Sequence, residues 1–568
     1  MNFLETIFER LRQASARPVL QEVREGRIVS ATGSQILAAV CAARAFCKNA
    51  GMQKGDRCAL LAHNGIRWAA MDLALMAEGV LVVPLYARQA PGELVAMMKD
   101  CEPSLLLCGD QALRDSIASL WPDAPRAVLL DEIAGPNTEP TGPAAETLGP
   151  LRSLSDGDPV TILYTSGTSG EAKGVVLTVG NLNHMLRCTA ERLDLLMGPQ
   201  ATPDRVFHYL PFCFAGSWIL LLSCLSRNAV LTLSTDLTKL MEEMQLAAPD
   251  YFLNVPALLE RVRSGVEEQL NKKSGAVRWL YQNAQAAWFR RQAGPSSGLD
   301  SLRLAAGRTL LFPSIRRRLG PNPKALICGS APLARETQLF FHMLGLPVLQ
   351  VYGLTETTAI CTMDHPQRIE PGHVGPAIPG IEMKLGENNE ILVRGPHVFQ
   401  GYWGRPQATA EVLRDGWFHT GDQGEMNGSG NWSITGRVKN LIIPSSGHNV
   451  APEPIEDQLL RLLPAAKQVV LVGNGRSYLA ALIAGSVSNN EAKVAIEAVN
   501  RRLPHYKRIH AFHLCGEPFT VENGLLTANG KLKRAAIEAR YKDQIEAMYR
   551  KKKSEVRSQE PASEPRLS

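Results

Sequence analysis

Eleven consecutive residues, Tyr164-Thr165-Ser166-Gly167-Thr168-Ser169-Gly170-Glu171-Ala172-Lys173-Gly174, concentrate hydroxyls, glycines and one lysine. Glycines let a backbone turn sharply and bring its N–H groups close to an anion. The Thr and Ser hydroxyls can donate to phosphate oxygens or ligate Mg²⁺, and the lysine adds a mobile positive charge. Apolar runs on both sides, 160–163 and 175–177, predict strands, so the loop is expected to sit between two of them. The chemistry is that of a phosphate cradle; a flexible Gly/Ser hairpin is the alternative reading. A Walker A loop is excluded, because Ala172 precedes Lys173 and Gly174 follows it, where that motif needs Gly and Ser or Thr.

The order of these residues resembles the signature loop of the adenylate-forming superfamily, which includes acyl-CoA synthetases, luciferases and peptide-synthetase adenylation domains. Ala172 stands where that family usually has proline. Companion motifs follow in family order. Val351-Tyr352-Gly353-Leu354-Thr355-Glu356-Thr357 resembles the Tyr-Gly-x-Thr-Glu element, and Gly416-Trp417-Phe418-His419-Thr420-Gly421-Asp422 the Thr-Gly-Asp element. Gly436-Arg437-Val438-Lys439-Asn440 and Ser446-Gly447-His448-Asn449-Val450 resemble the junction between the family's two domains, with Asn440 where an aspartate is usual. The stretch 520–534, Thr-Val-Glu-Asn-Gly-Leu-Leu-Thr-Ala-Asn-Gly-Lys-Leu-Lys-Arg, resembles the C-terminal lysine motif in the wording of long-chain acyl-CoA synthetases.

The resemblance implies ATP, Mg²⁺ and coenzyme A as ligands. Thr165, Ser166, Gly167, Thr168, Ser169, Gly170 and Lys173 would cradle phosphate. Tyr352 and Gly353 would border adenine, Thr355 the α-phosphate, and Glu356 with Thr165 the metal. Asp422 would accept from the ribose hydroxyls, and Arg437 would contact ribose or phosphate. Lys439 would be the hinge, Gly447 would lie in the loop forming the thiol channel, and Lys531, Glu356 and Thr165 would be catalytic. His419 is expected to be a structural partner of its turn. The implied reaction is activation of a fatty carboxylate to acyl-AMP with release of pyrophosphate, then transfer to CoA. Other readings are a fatty acyl-AMP ligase or acyl-carrier-protein synthetase, an aryl- or branched-acid ligase, and a non-catalytic nucleotide or acyl sensor. Lys173, Glu356, Asp422 and Lys531 occurring together argue against the sensor.

The elements that must position these residues are legible as alternation. Residues 57–62, 80–85, 104–108 and 127–130 predict strands, with helices at 66–77, 91–100 and 112–120 between them. Strand–helix alternation implies a parallel, helix-covered sheet, continued by strands at 206–210, 229–233 and 325–328. Residues 134–149 read as a surface linker, and residues 1–14 as an amphipathic helix. The expected fold is α/β. A large N-terminal domain of helix-covered sheets (1–436) precedes a small mobile α+β domain (437–550) and a disordered tail (551–568).

The apolar run 212–225 is too short to span a bilayer and predicts a buried helix that lines an acyl tunnel. Trp218 within it is either an aromatic gate or a core residue, and Phe214 and Val179 replace histidines frequent in relatives. The segment 261–319 is polar, helical and basic: either a solvated insertion or a surface that meets anionic lipid or CoA phosphates. Any membrane contact is therefore expected to be peripheral, on the inner face of a membrane. A net charge of +6 over 568 residues argues against a nucleic-acid-binding protein. The eleven cysteines are odd in number and lack a Cys-x-x-Cys, which points to reduced thiols in the cytoplasm.

Overall fold

The computed structural model describes residues 2–133, 149–166, 172–199, 202–294, 297–321, 323–526 and 530–557. The expected linker at 134–149 lies almost wholly outside these residues, as does the tail beyond 557.

Two large sheets form the N-terminal part. The seven-stranded sheet runs Gly401–Tyr402, Ala172–Thr178, Pro159–Ser166, Leu81–Pro84, Arg57–Leu61, Leu105–Cys108, Ala127–Leu129. Its strands from Pro159–Ser166 onward are parallel, while Ala172–Thr178 folds back antiparallel. The eight-stranded sheet runs Thr362–Met363, Val348–Tyr352, Ala325–Cys328, Tyr251–Asn254, Asp204–His208, Ala229–Leu233, Pro18–Arg24, Arg27–Thr32, parallel except at its two edges. Leu81–Pro84, Leu105–Cys108 and Ala325–Cys328 are buried at every position. That is why they read as unbroken apolar runs: helices cover both faces of a parallel sheet.

One core joins the sheets, built around helices Ile66–Ala77 and Ala215–Ser226. Trp218 has no exposed surface and its indole donates to Asp72 Oδ2 at 2.9 Å. It does not line the cavity described below, so the gate reading fails and the core reading holds. The amphipathic N-terminal helix, Phe3–Gln13, buries Phe3, Leu4, Ile7, Phe8 and Leu11 in the same core. The insertion forms helices Pro256–Asn271, Gly275–Ala293 and Gly298–Leu310, packed with Phe207, Phe252 and Phe341 into a second core.

A smaller antiparallel sheet follows: Glu382–Leu385, Glu390–Arg394, Trp417–Met426 and Leu413–Arg414, with Trp432–Arg437 on Trp417–Met426. The C-terminal lobe holds three strands, Ala466–Val472, Leu479–Gly485 and Ile509–Cys515, with a core on each face. Two helices close the lobe, Arg534–Arg540 and Lys542–Arg557, broken at Tyr541. Lys531 precedes the first of them, and the second helix runs past 551, where disorder was expected.

Asp72 makes a demanding polar contact within the core that joins the two large sheets. It is fully buried, its Oδ1 lacks a partner, and desolvation lifts its pKa to about 7 against the modest opposing effect of the Trp218 indole. A raised carboxyl pKa contributes stability that is complete below the unfolded value, near 4, and is lost as pH rises through about 7. Asp72→Asn keeps an acceptor for the indole and removes the titration. Its melting temperature should exceed the wild type's at pH 8 by the equivalent of at least about 1 kcal/mol, with the gap closing at pH 5. A gap that does not depend on pH would contradict a protonated Asp72.

Candidate active site

The carboxyl ends of the parallel strands in both large sheets open into one cavity of about 3500 Å³. Ala62, Leu85, Gly109, Ser234, Val255 and Gly329 each follow such a strand and line it. Ligand sites in open α/β sheets form at this edge, where connections diverge and leave a crevice. The C-terminal lobe closes one side, contributing Asp457, Arg461, Lys531 and Arg534.

Thr165, Lys173, Tyr352, Gly353, Thr355, Glu356, Asp422, Arg437, Lys439 and Lys531 all line this cavity. Ser166 ends its strand opposite Ala172, in register with Thr165 opposite Lys173. Gly167, Thr168, Ser169 and Gly170 lie outside the described residues. Gly447 does not reach the cavity. It turns at φ +78° in open space, its N–H donating to the Pro444 carbonyl at 2.9 Å.

At the centre is Asp422, only 4% exposed. Arg437 Nε meets its Oδ1 at 2.6 Å, and the Tyr352 hydroxyl donates to its Oδ2 at 2.8 Å. Burial raises its pKa, while Arg437, the Tyr352 hydroxyl and Lys531 pull it back down. Lys531 keeps solvent contact through the mouth of the cavity, but the walls remove enough water to lower its pKa. Arg437 lowers it further, and Asp422 and Glu356 oppose the shift. A compact cation of this kind gains most when an anion enters the cavity.

A second chain of contacts links Lys173 to Glu356. Lys173 Nζ lies 5.0 Å from the Tyr402 ring centroid, and the Tyr402 hydroxyl donates to Glu356 Oε1 at 2.9 Å. On strand Pro159–Ser166, the Tyr164 hydroxyl donates to Asp100 Oδ2 at 2.6 Å, and Arg405 Nη2 donates to Asp100 Oδ1 at 2.9 Å. Tyr402, Asp100 and Arg405 were not foreseen from sequence. Their partners lie 46 to 305 residues away, and Gly401-Tyr402-Trp403 reads only as a turn flank. His419 pairs with Glu390 at 2.9 Å, and Glu390 also accepts from the Gly421 N–H, so the two hold the turn that presents Asp422.

Part of the cavity lining is apolar. Phe214, Ile219, Leu220, Leu253, Leu354 and Ile360 belong to it, and Phe214 packs on Tyr86 at 6.1 Å. Only the first part of helix Ala215–Ser226 takes part; the rest is core. Val179 is buried at the start of helix Val179–Met197, away from this wall. His208, fully buried and stacked on Phe212 at 5.4 Å, is held neutral, its pKa lowered to about 4 by desolvation.

Among the described residues no group of three or more His, Cys, Asp and Glu is arranged to hold a metal. A hydroxyl at Thr165 and a carboxylate at Glu356 fit Mg²⁺, which keeps several waters and takes phosphate oxygens alongside few protein ligands. They do not fit a metal caged by protein alone.

Residues 7–403 match the family model "AMP-binding enzyme", and residues 439–553 match "AMP-binding enzyme C-terminal domain". The chain is 28% identical to the long-chain-fatty-acid–CoA ligase FadD15 of Mycobacterium tuberculosis, over 97% of each chain. It is 31% identical to the putative fatty-acid–CoA ligase fadD11 of the same species, over 73% of this chain and 77% of that one. It superposes on the o-succinylbenzoate CoA synthetase of Bacillus subtilis, solved with its acyl-adenylate intermediate, with TM-score 0.72, 20% identity, and coverage of 94% and 98%. At that identity the likeness is one of fold.

Gly353 holds the turn between Tyr352 and Glu356 against the chain that follows. A Cβ there would stand 2.3 Å from the Ala359 carbonyl oxygen, a backbone atom that cannot swing aside. Gly353→Ala should cost roughly 2 kcal/mol or more in stability, read as a lowered melting temperature. An unchanged melting temperature would contradict this packing.

Proposed function

The chain belongs to the AMP-binding enzyme family, and we propose that it is an AMP-forming acid–thiol ligase acting on long- or medium-chain fatty acids. A carboxylate oxygen of the acid bonds to the α-phosphorus of ATP, the bond to the β-phosphate breaks, and pyrophosphate leaves. The CoA thiol, giving up its proton, then bonds to the acyl carbon, and AMP leaves.

The observation that carries this reading is the convergence of Lys531, from the far end of the chain, on the cavity that holds Thr165, Lys173, Tyr352, Glu356 and Asp422. In it, Tyr352 flanks the adenine, Asp422 and Arg437 take the ribose, and Lys173, Thr355 and the residues from Thr165 to Gly170 take the phosphates. Mg²⁺, held by Glu356 and the Thr165 hydroxyl, would neutralise phosphate charge when bound. Catalysis is then positioning plus stabilisation of charge that develops on the α-phosphate, with little covalent work for the protein. The apolar part of the lining suits an alkyl chain, and FadD15 and fadD11 are named for fatty acids.

We divide the chain into an adenylation domain (1–436), a mobile domain (437–550) hinged at Lys439, and a tail (551–568). After adenylation the second domain rotates, so that Lys531 leaves and the loop holding Gly447 reaches the thiol path. We place the enzyme in the cytoplasm, in keeping with eleven free cysteines. Contact with a membrane is peripheral; no described helix is long and apolar enough to cross one.

Pyrophosphate exchange across carboxylic acids tests the substrate class. Decanoate and palmitate should exceed acetate and benzoate; the reverse order would overturn it. Lys531→Ala should lose roughly 10²–10³ in exchange yet still convert supplied acyl-adenylate and CoA to thioester, whereas Lys533→Ala should exchange normally. Equal behaviour of the two variants would reduce Lys531 to a surface residue.

A further inference from the structure

Helices Gly275–Ala293 and Gly298–Leu310 form an antiparallel hairpin on the outside of the molecule. They touch closely: a Cβ at Gly307 would stand 2.7 Å from that of Ala284. Arg290 clasps Asp300, with Nη2 to Oδ1 at 2.5 Å. Tyr281, Trp288 and Leu304 fill the inner face. A solvated insertion should expose polar side chains alone, yet large apolar ones are exposed among them. Trp279 is 60% exposed, Leu299 61%, Leu302 69% and Leu310 74%, more than any other large apolar side chain among the described residues. Leu299, Leu302 and Leu310, with Ala306, follow helical spacing along one stripe. Phe289 adds a second exposed ring on the first helix.

The segment that carries these side chains is strongly basic. Residues 271–320 hold ten lysines and arginines and one carboxylate, Asp300, a net +9 where the entire chain has +6. Exposed apolar stripes rimmed by Arg and Lys belong to elements that lie in the plane of a lipid surface: the rings and leucines enter the headgroup boundary, and the cations meet lipid phosphates. A second copy of the chain is disfavoured, because a symmetric contact would set +9 against +9.

We propose that this hairpin is the surface by which the protein docks on an anionic bilayer, with Trp279, Phe289, Leu299, Leu302 and Leu310 entering the lipid. The inference rests on the peripheral attachment proposed above and gives it a location and an apolar component. Helix Pro256–Asn271, about 24 Å long, carries the hairpin, and its first residues, Pro256 and Ala257, line the cavity. The docked surface would thus lie one helix away from the wall of the acid site.

The full chain is sedimented with vesicles of phosphatidylcholine alone and of phosphatidylcholine mixed with phosphatidylglycerol. Wild type should bind the anionic vesicles and scarcely the neutral ones. The triple variant Leu299→Ser, Leu302→Ser, Leu310→Ser should bind about tenfold more weakly. Arg291→Glu with Arg308→Glu should weaken binding roughly fivefold per position or more. High salt should weaken wild-type binding without abolishing it, and all variants should keep wild-type pyrophosphate exchange, which shows that they are folded. Wild type that ignores anionic vesicles overturns both the attachment and the hairpin's part in it. Variants that bind as tightly as wild type overturn the hairpin alone and place attachment elsewhere, such as the basic run at 550–553. Equal binding to both vesicle types, or dimerisation abolished by the triple variant without lipid binding, also overturns the proposal.

Discussion

A carboxylate buried at the junction of three chain segments sets the geometry of this molecule's site. Asp422 would be costly to bury unpaired. Its partners, Arg437 and the Tyr352 hydroxyl, come from the end of strand Trp432–Arg437 and the end of strand Val348–Tyr352. Satisfying one carboxylate therefore fixes the eight-stranded sheet, the small antiparallel sheet and the exit toward the C-terminal lobe relative to one another. The same carboxylate, with Glu356, supplies the field that Lys531 feels on entering the cavity.

The two lobes differ in how firmly they are held. Within the C-terminal lobe, Arg534 meets the buried Glu456 at 2.5 Å, and Asn440 donates to Glu453 at 2.6 Å. Between the lobes, Arg461 meets Glu336 at 2.9 Å with both side chains half exposed, and Asn449 donates to the exposed Asn388. Exposed pairs of this kind contribute roughly 0–1 kcal/mol. The exception is Arg437, whose pair with the buried Asp422 ties the start of the second domain to the first.

The sequence made the alternating strands and helices legible because each depends on its own apolar pattern. Strands Ala229–Leu233 and Ala325–Cys328 fall where the pattern put them. The site was legible for a different reason. Thr165, Tyr352, Glu356, Asp422 and Lys531 lie in short motifs whose order resembles a known family, and the cavity lining brings them together. Tyr402, Asp100 and Arg405 were invisible because they act through contacts across long stretches of chain, which no local periodicity encodes. Trp218 was undecided for the same reason: its partner, Asp72, lies 146 residues away. The segment 261–319 reads as polar and basic, and the exposure of Leu299, Leu302 and Leu310 was not foreseen in it. Helical spacing is the same whether an apolar stripe faces a core or faces outward.

In the proposed ligase one cavity serves two reactions, with the C-terminal lobe turning about Lys439 between them. Lys439 lies in the 3-10 turn Val438–Asn440, and proline there would hold φ near the value such a turn uses, about −65°, and restrict rotation. The two half-reactions of Lys439→Pro, measured separately on protein with a wild-type melting temperature, test the claim most directly. Pyrophosphate exchange should persist, while thioester formation from supplied acyl-adenylate and CoA should fall sharply. Thioester formation at the wild-type rate, or equal loss of both steps, would contradict it.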